Sequence, residues 1–117
     1  MNFKIINLET IDHSMMGNAE LIKQLIDLYI VQSPTDFKEL EDAVITGEHS
    51  HIREKAHHIK PTMQYIGATG LLQDFQNLEN KAKDSSPINE IKELFNQKIK
   101  PDFLLMMDEL HTLSKSQ

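Results

Sequence analysis

The sequence predicts an all-α protein, an antiparallel four-helix bundle with a short additional N-terminal helix. Three observations lead there. Apolar residues recur at steps of three and four along most of the chain, the spacing of one buried stripe on each helix. No stretch reads as a strand of any length. Turn-forming residues gather at a few short breaks, so successive helices fold back on one another. Residues 1–117 are expected to form a single domain, without internal repeat or low-complexity tract.

The elements follow in order. Asn2 to Asn7 is a short extended or irregular piece, and Leu8 to Met16 a brief helix ended by Gly17, a residue suited to a left-handed cap. Asn18 is placed to cap the next helix, whose stripe Ile22, Ile26, Ile30, Phe37, Leu40 and Val44 runs to Gly47. Ser33-Pro34 interrupts it. Ser33 either caps a second helix with Pro34 at its first position or marks a kink in one element; the surviving apolar phase favours the kink. A third helix spans about Ser50 to Ile66 and ends at Gly67. A fourth starts at Thr69-Gly70, with Leu71, Leu72, Phe75, Leu78 and Ala82 on one face. Asp84-Ser85-Ser86-Pro87 is the clearest loop. The last helix, about Asn89 to Leu113, keeps Ile91, Phe95, Ile99, Phe103, Met106, Leu110 and Leu113 in phase, with a bend expected at Pro101.

Composition narrows the functional classes. The chain has 117 residues and no cysteine, which removes disulfides and thiolate chemistry. No apolar run is long enough to span a membrane, and Met1-Asn2-Phe3-Lys4 lacks the basic start and apolar core of a signal peptide. A cytoplasmic monomer is the expectation. A net charge of −6 argues against a nucleic-acid partner, because phosphate backbones need a cationic surface. Arg53, Lys55 and Lys60 nonetheless form a local basic spot.

That spot surrounds a histidine. Ile52, Ala56, Ile59, Met63 and Ile66 make the buried stripe of the third helix, and Arg53, His57, Lys60 and Gln64 recur beside it as a polar column. The polar column that holds His57 carries no acid, which suits a phosphate carrier better than a metal ligand. Imidazole is nucleophilic when neutral and changes charge near neutral pH. The nearby Lys60 ammonium can neutralise phosphoryl oxygens, and Gln64 can hydrogen-bond them. Pro61 cannot donate to the His57 carbonyl, and an interior proline costs a helix about 3 kcal/mol; it is a simple kink or a device that presents His57. His51 and His58 lack carboxylate or thiolate companions at zinc-site spacing, so no metal and no cofactor of its own is expected. The methionines are core filler and the Glu39, Glu41, Asp42 segment a solvated face.

Ala56-His57-x-Ile59-Lys60-Pro61, followed by Gly67-Ala68, Leu71 and Leu78-Glu79, resembles the signature of histidine-containing phosphotransfer (HPt) domains. Pro61 stands where that family most often has glycine, and Thr62, Met63 and Gln64 are bulkier than its usual residues. Only His57, not His58, has lysine three and glycine ten positions later. The resemblance implies a phosphocarrier, uncertain as an enzyme in its own right, that relays phosphoryl groups between receiver-domain aspartates, with His57 as acceptor. Response-regulator receivers and a hybrid sensor histidine kinase would be its partners, and Mg2+ would be held by the receiver. It also implies docking on the histidine helix and its neighbours near the amino end. Ile11, Met15 and Met16, with Arg53, then either meet the partner or cap one end of the bundle. A helical adaptor without phosphate chemistry is the alternative.

Overall fold

Each apolar stripe of the sequence becomes the inner face of a helix. The computed structural model describes residues 2–116, and helices α1 (Leu8–Ser14), α2 (Ala19–Thr46), α3 (His49–Tyr65), α4 (Thr69–Lys83), α5 (Ile88–Leu94) and α6 (Lys100–Ser116) account for most of them. A π-helical segment, Phe95–Ile99, joins α5 to α6 without a break. All of the regular structure among the described residues is helical.

Local chemistry explains most boundaries. The Asn7 and Asn18 side chains accept from the backbone N–H groups of Thr10 and Leu21, each at 3.0 Å, and so start α1 and α2. α1 ends two residues earlier than the sequence predicts. Met16 itself takes the first left-handed position (φ 53°) and donates to the His13 carbonyl, and Gly17 donates to that of Asp12. α2 runs unbroken through Pro34 for 28 residues, because the inner stripe on either side continues in one phase.

Pro101 is the second residue of α6, which follows directly on the π segment. Ile91, Phe95, Ile99 and Phe103 are all buried, yet they are separated by three consecutive four-residue steps. In a regular helix of 3.6 residues per turn that pattern drifts by roughly 120° around the axis. The π segment takes up the drift: the Lys100 N–H donates to the Phe95 carbonyl, one residue farther back than in an α-helix. Phe95 and Phe103 thereby both stack on Phe37 of α2, with ring centroids 5.1 and 4.0 Å away.

The helices pack in a closed cycle, α2 on α3, α3 on α4, α4 on α5 and the π segment, and the last helix back on α2. Polar ties across two of the seams show neighbours running in opposite directions. Glu41 meets Lys100 at 2.6 Å and Asp27 meets Ser114 at 2.6 Å between α2 and α6, while Glu39 meets Lys55 at 3.5 Å and Asp36 meets His58 at 3.8 Å between α2 and α3. The result is a rod of 43 × 21 × 20 Å. No helix among the described residues is long and apolar enough to cross a membrane.

The N-terminal segment is tied down at two points. Glu109, buried on α6, accepts backbone N–H bonds from Lys4, Ile5 and Ile6 at 2.8–3.0 Å, a charge-assisted staple. The Asn7 N–H then donates to the Ile66 carbonyl at the end of α3. These ties press Ile11 and Met15 into the core, 1% and 2% exposed, so neither supplies the exposed docking contact considered for it; Met16 alone stays out, at 88%.

Candidate functional site

The site is built from the outer edge of α3 and the adjoining edge of α4. Ile52, Ala56, Ile59 and Met63 are buried as their spacing predicts, which turns His57 outward, its side chain 70% exposed. α3 continues through Pro61 to Tyr65, and the proline leaves the His57 carbonyl without its helical donor. The helix then closes in a Schellman turn: Gly67 donates to Gln64 and Ala68 to Met63. Gly67 has φ 70°, and a β-carbon there would lie 2.6 Å from that of Asn7 and 2.8 Å from that of Thr10. Glycine is thus needed for the turn and for the close approach of α1.

An acid that the sequence hides completes the site. Leu78 is buried in the core, which aims the next residue, Glu79, sideways toward α3. Its Oε1 lies 2.7 Å from His57 Nδ1 and its Oε2 2.6 Å from Lys60 Nζ. One carboxylate therefore bridges the histidine and the lysine. Glu79 stands 22 residues from His57, so a search along the histidine helix could not find it; the Leu78-Glu79 pair was its only trace in the sequence. Lys60 also departs from expectation. It leaves the exposed column, drawn into the α3–α4 seam by Glu79 and by Gln76 Oε1 at 2.6 Å, and its side chain is only 17% exposed.

The electrostatics set the protonation pattern. Burial raises the pKa of the Glu79 carboxyl, but hydrogen bonds from Lys60 and His57, with their charges, outweigh it and hold the group below the usual carboxylate range. Glu79 is thus ionised at neutral pH, and an ionised carboxylate only accepts hydrogen bonds. His57 Nδ1 must then carry the proton. In the neutral ring the lone pair belongs to Nε2, the nitrogen turned away from Glu79. An oriented imidazole with its far nitrogen open is suited to nucleophilic attack, and the carboxylate stabilises the cation that such attack creates.

Beside the histidine lies an open groove of about 570 Å3 between α3 and α4, walled by Lys60, Pro61 and Gln64 on one side and by Gln73 and Gln76 on the other. Arg53 is exposed one turn before His57. His58 points to the opposite flank of α3, where its Nε2 lies 3.8 Å from Asp36 of α2, and His51 pairs with Glu48 at 3.0 Å. Among the described residues no three His, Cys, Asp or Glu side chains gather in a metal-holding group. No protein-family profile, curated protein or solved structure matches the chain.

Proposed function

We propose that the chain is a histidine-containing phosphotransfer protein, an antiparallel four-helix bundle with α1 as an added N-terminal helix, that relays a phosphoryl group between receiver-domain aspartates with His57 as the carrier. The observation that carries this proposal is the Glu79 carboxylate bridging His57 Nδ1 and Lys60 Nζ. An adaptor has no use for a tautomer-locked, exposed imidazole beside a held ammonium.

The chemistry runs without a net proton transfer. His57 Nε2 attacks the phosphorus of an aspartyl phosphate on the partner, an N–P bond forms, and the aspartate leaves as carboxylate. The Nδ1 proton stays in place, and Glu79 offsets the positive charge of the phosphorylated ring. In the second half, the carboxylate of another receiver attacks phosphorus and the neutral imidazole leaves. Phosphoryl transfer of this kind depends on positioning and charge neutralisation. Lys60 supplies the latter, since a phosphoryl group adds about −1.5 to −2 charge, and Gln64, one turn beyond Lys60 on the same helix, is a further donor. Mg2+ and the acidic residues that bind it belong to the receiver.

The test compares His57→Gln with His58→Gln. Each is incubated with a receiver domain charged by acetyl phosphate and assayed for acid-labile, base-stable phosphate. Labelling is expected to vanish in His57→Gln and persist in His58→Gln. Normal labelling of His57→Gln would overturn the assignment, and an unlabelled native protein would leave the adaptor.

A further inference from the structure

The two flanks of α3 differ in charge. The groove on the α2 side is lined by four carboxylates, Glu39, Asp42, Glu48 and Glu54, with His51 beside Glu48, and they outnumber the cations paired with them, Lys55 on Glu39 and Glu54 and Lys38 on Asp42. The groove on the α4 side holds no carboxylate among its lining residues and three glutamine amides, Gln64, Gln73 and Gln76. Beyond it the exposed face of α4 continues in amides, Asn77 and Asn80. Neither α4 carboxylate shows its charge there. Glu79 is engaged by His57 and Lys60, and Asp74 is buried on the far flank, 3.7 Å from Lys98.

The amides are ordered by the lysine. Lys60 donates to Gln76 Oε1, so the Gln76 NH2 is turned to donate to Asn80 Oδ1 at 3.0 Å. The NH2 of Asn80 is then the group left to face outward. A parallel pair runs from Gln73 to Asn77, also 3.0 Å. The strip therefore offers hydrogen-bond donors and no negative charge, on a chain whose net charge is −6. An acidic surface can approach it without like-charge repulsion, whereas the α2–α3 groove repels one.

We infer that the amide-lined face of α3 and α4, from His57 across Gln73, Gln76, Asn77 and Asn80, is the docking surface for the acidic phosphoaspartate pocket of a receiver domain, and that the acidic α2–α3 groove keeps the same partner off the other flank. This rests on the phosphocarrier proposal and specifies how the partner is oriented. It sets the partner on the α4 side of His57, whereas the sequence alone left α1 either meeting the partner or capping one end of the bundle.

Two phosphodonors separate docking from chemistry. Phosphoramidate loads a histidine without a protein interface, whereas a receiver domain charged by acetyl phosphate must dock first. A panel of isolated receivers identifies the one that labels the native protein fastest, and the ratio of its rate to the phosphoramidate rate is the readout. Asn77→Glu and Asn80→Glu are expected to lower that ratio about tenfold in low salt, with recovery as salt screens the new charge. Asn80→Lys is expected to raise it, and Thr35→Glu, on the outer face of α2, to leave it unchanged. A ratio insensitive to the α4 charges but lowered by Met16→Glu would place the partner over α1 and overturn the inference. So would a native protein that phosphoramidate labels and no receiver does. If phosphoramidate itself fails to label His57, the phosphocarrier proposal falls and takes the docking surface with it.

Discussion

Replacing Glu79 by glutamine tests the centre of the site with almost no change in volume. In the native protein both carboxylate oxygens accept, from His57 Nδ1 at 2.7 Å and from Lys60 Nζ at 2.6 Å. An amide has one oxygen. With that oxygen kept by Lys60, a cation with no acceptor of its own, the NH2 faces His57 and Nδ1 must accept. The ring proton then moves to Nε2, the nitrogen that has to attack. A hydrogen bond to a charged group is worth about 1.5–3 kcal/mol. Because the His57 side chain is 70% exposed and water competes, the lower end applies, and about 1.4 kcal/mol is tenfold in rate. Phosphoramidate labelling of Glu79→Gln should therefore fall about tenfold, and nitrogen-15 NMR should show the His57 ring shifting from the Nδ1–H toward the Nε2–H form. The same change alters the pH dependence of stability. Glu79 has a folded pKa below the ordinary 4.5, so it stabilises the native state above about pH 4.5 and that contribution is lost as pH falls through the lower folded value. Glu79→Gln should lack this acid-sensitive component. An unchanged tautomer together with unchanged labelling would refute the role given to Glu79.

Lys60→Ala should slow transfer several-fold and also lower stability by about 1–3 kcal/mol in urea melts, because it strands the largely buried Glu79 carboxylate; a loss of rate with unaltered stability would return Lys60 to the surface. Gly67→Ala should cost about 3 kcal/mol, combining a left-handed φ with β-carbon contacts of 2.6 and 2.8 Å, whereas Gly70→Ala, with nothing within 4 Å of the added carbon, should stabilise by about 0.5 kcal/mol. Asp74 has a buried Oδ2 without a hydrogen-bond partner, and burial raises its pKa despite Lys98. Its ionisation therefore erodes stability as pH rises through the folded value, and Asp74→Asn should melt higher than the native protein at pH 7, with the advantage gone below about pH 3.8, the ordinary aspartate value.

The sequence by itself determined whatever depends on neighbours a turn or two away. Helical periodicity assigned the inner faces of α2, α3 and α4, and the buried Ile52, Ala56, Ile59 and Met63 leave His57 outside. The Asn18 cap and the helix ends at Gly47 and Gly67 were legible for the same reason, since capping is a contact within four or five residues. Tertiary structure alone decided what crosses between helices. Glu79 meets His57 from 22 residues away and Glu109 meets Ile6 from 103, and no periodicity along one helix encodes which edge of another will face it. Lys60 looks like a solvated lysine until Gln76 and Glu79 draw it into the seam. Ile11 and Met15 look like a short helix's spare apolar side until the Glu109 staple presses them into the core. Even the π segment, foreshadowed by three four-residue steps, takes its shape from Phe37 on α2, against which Phe95 and Phe103 must both stack. Local propensity sets which face of each helix is apolar; the register between helices, where the site's charges meet, is settled only when those faces are packed together.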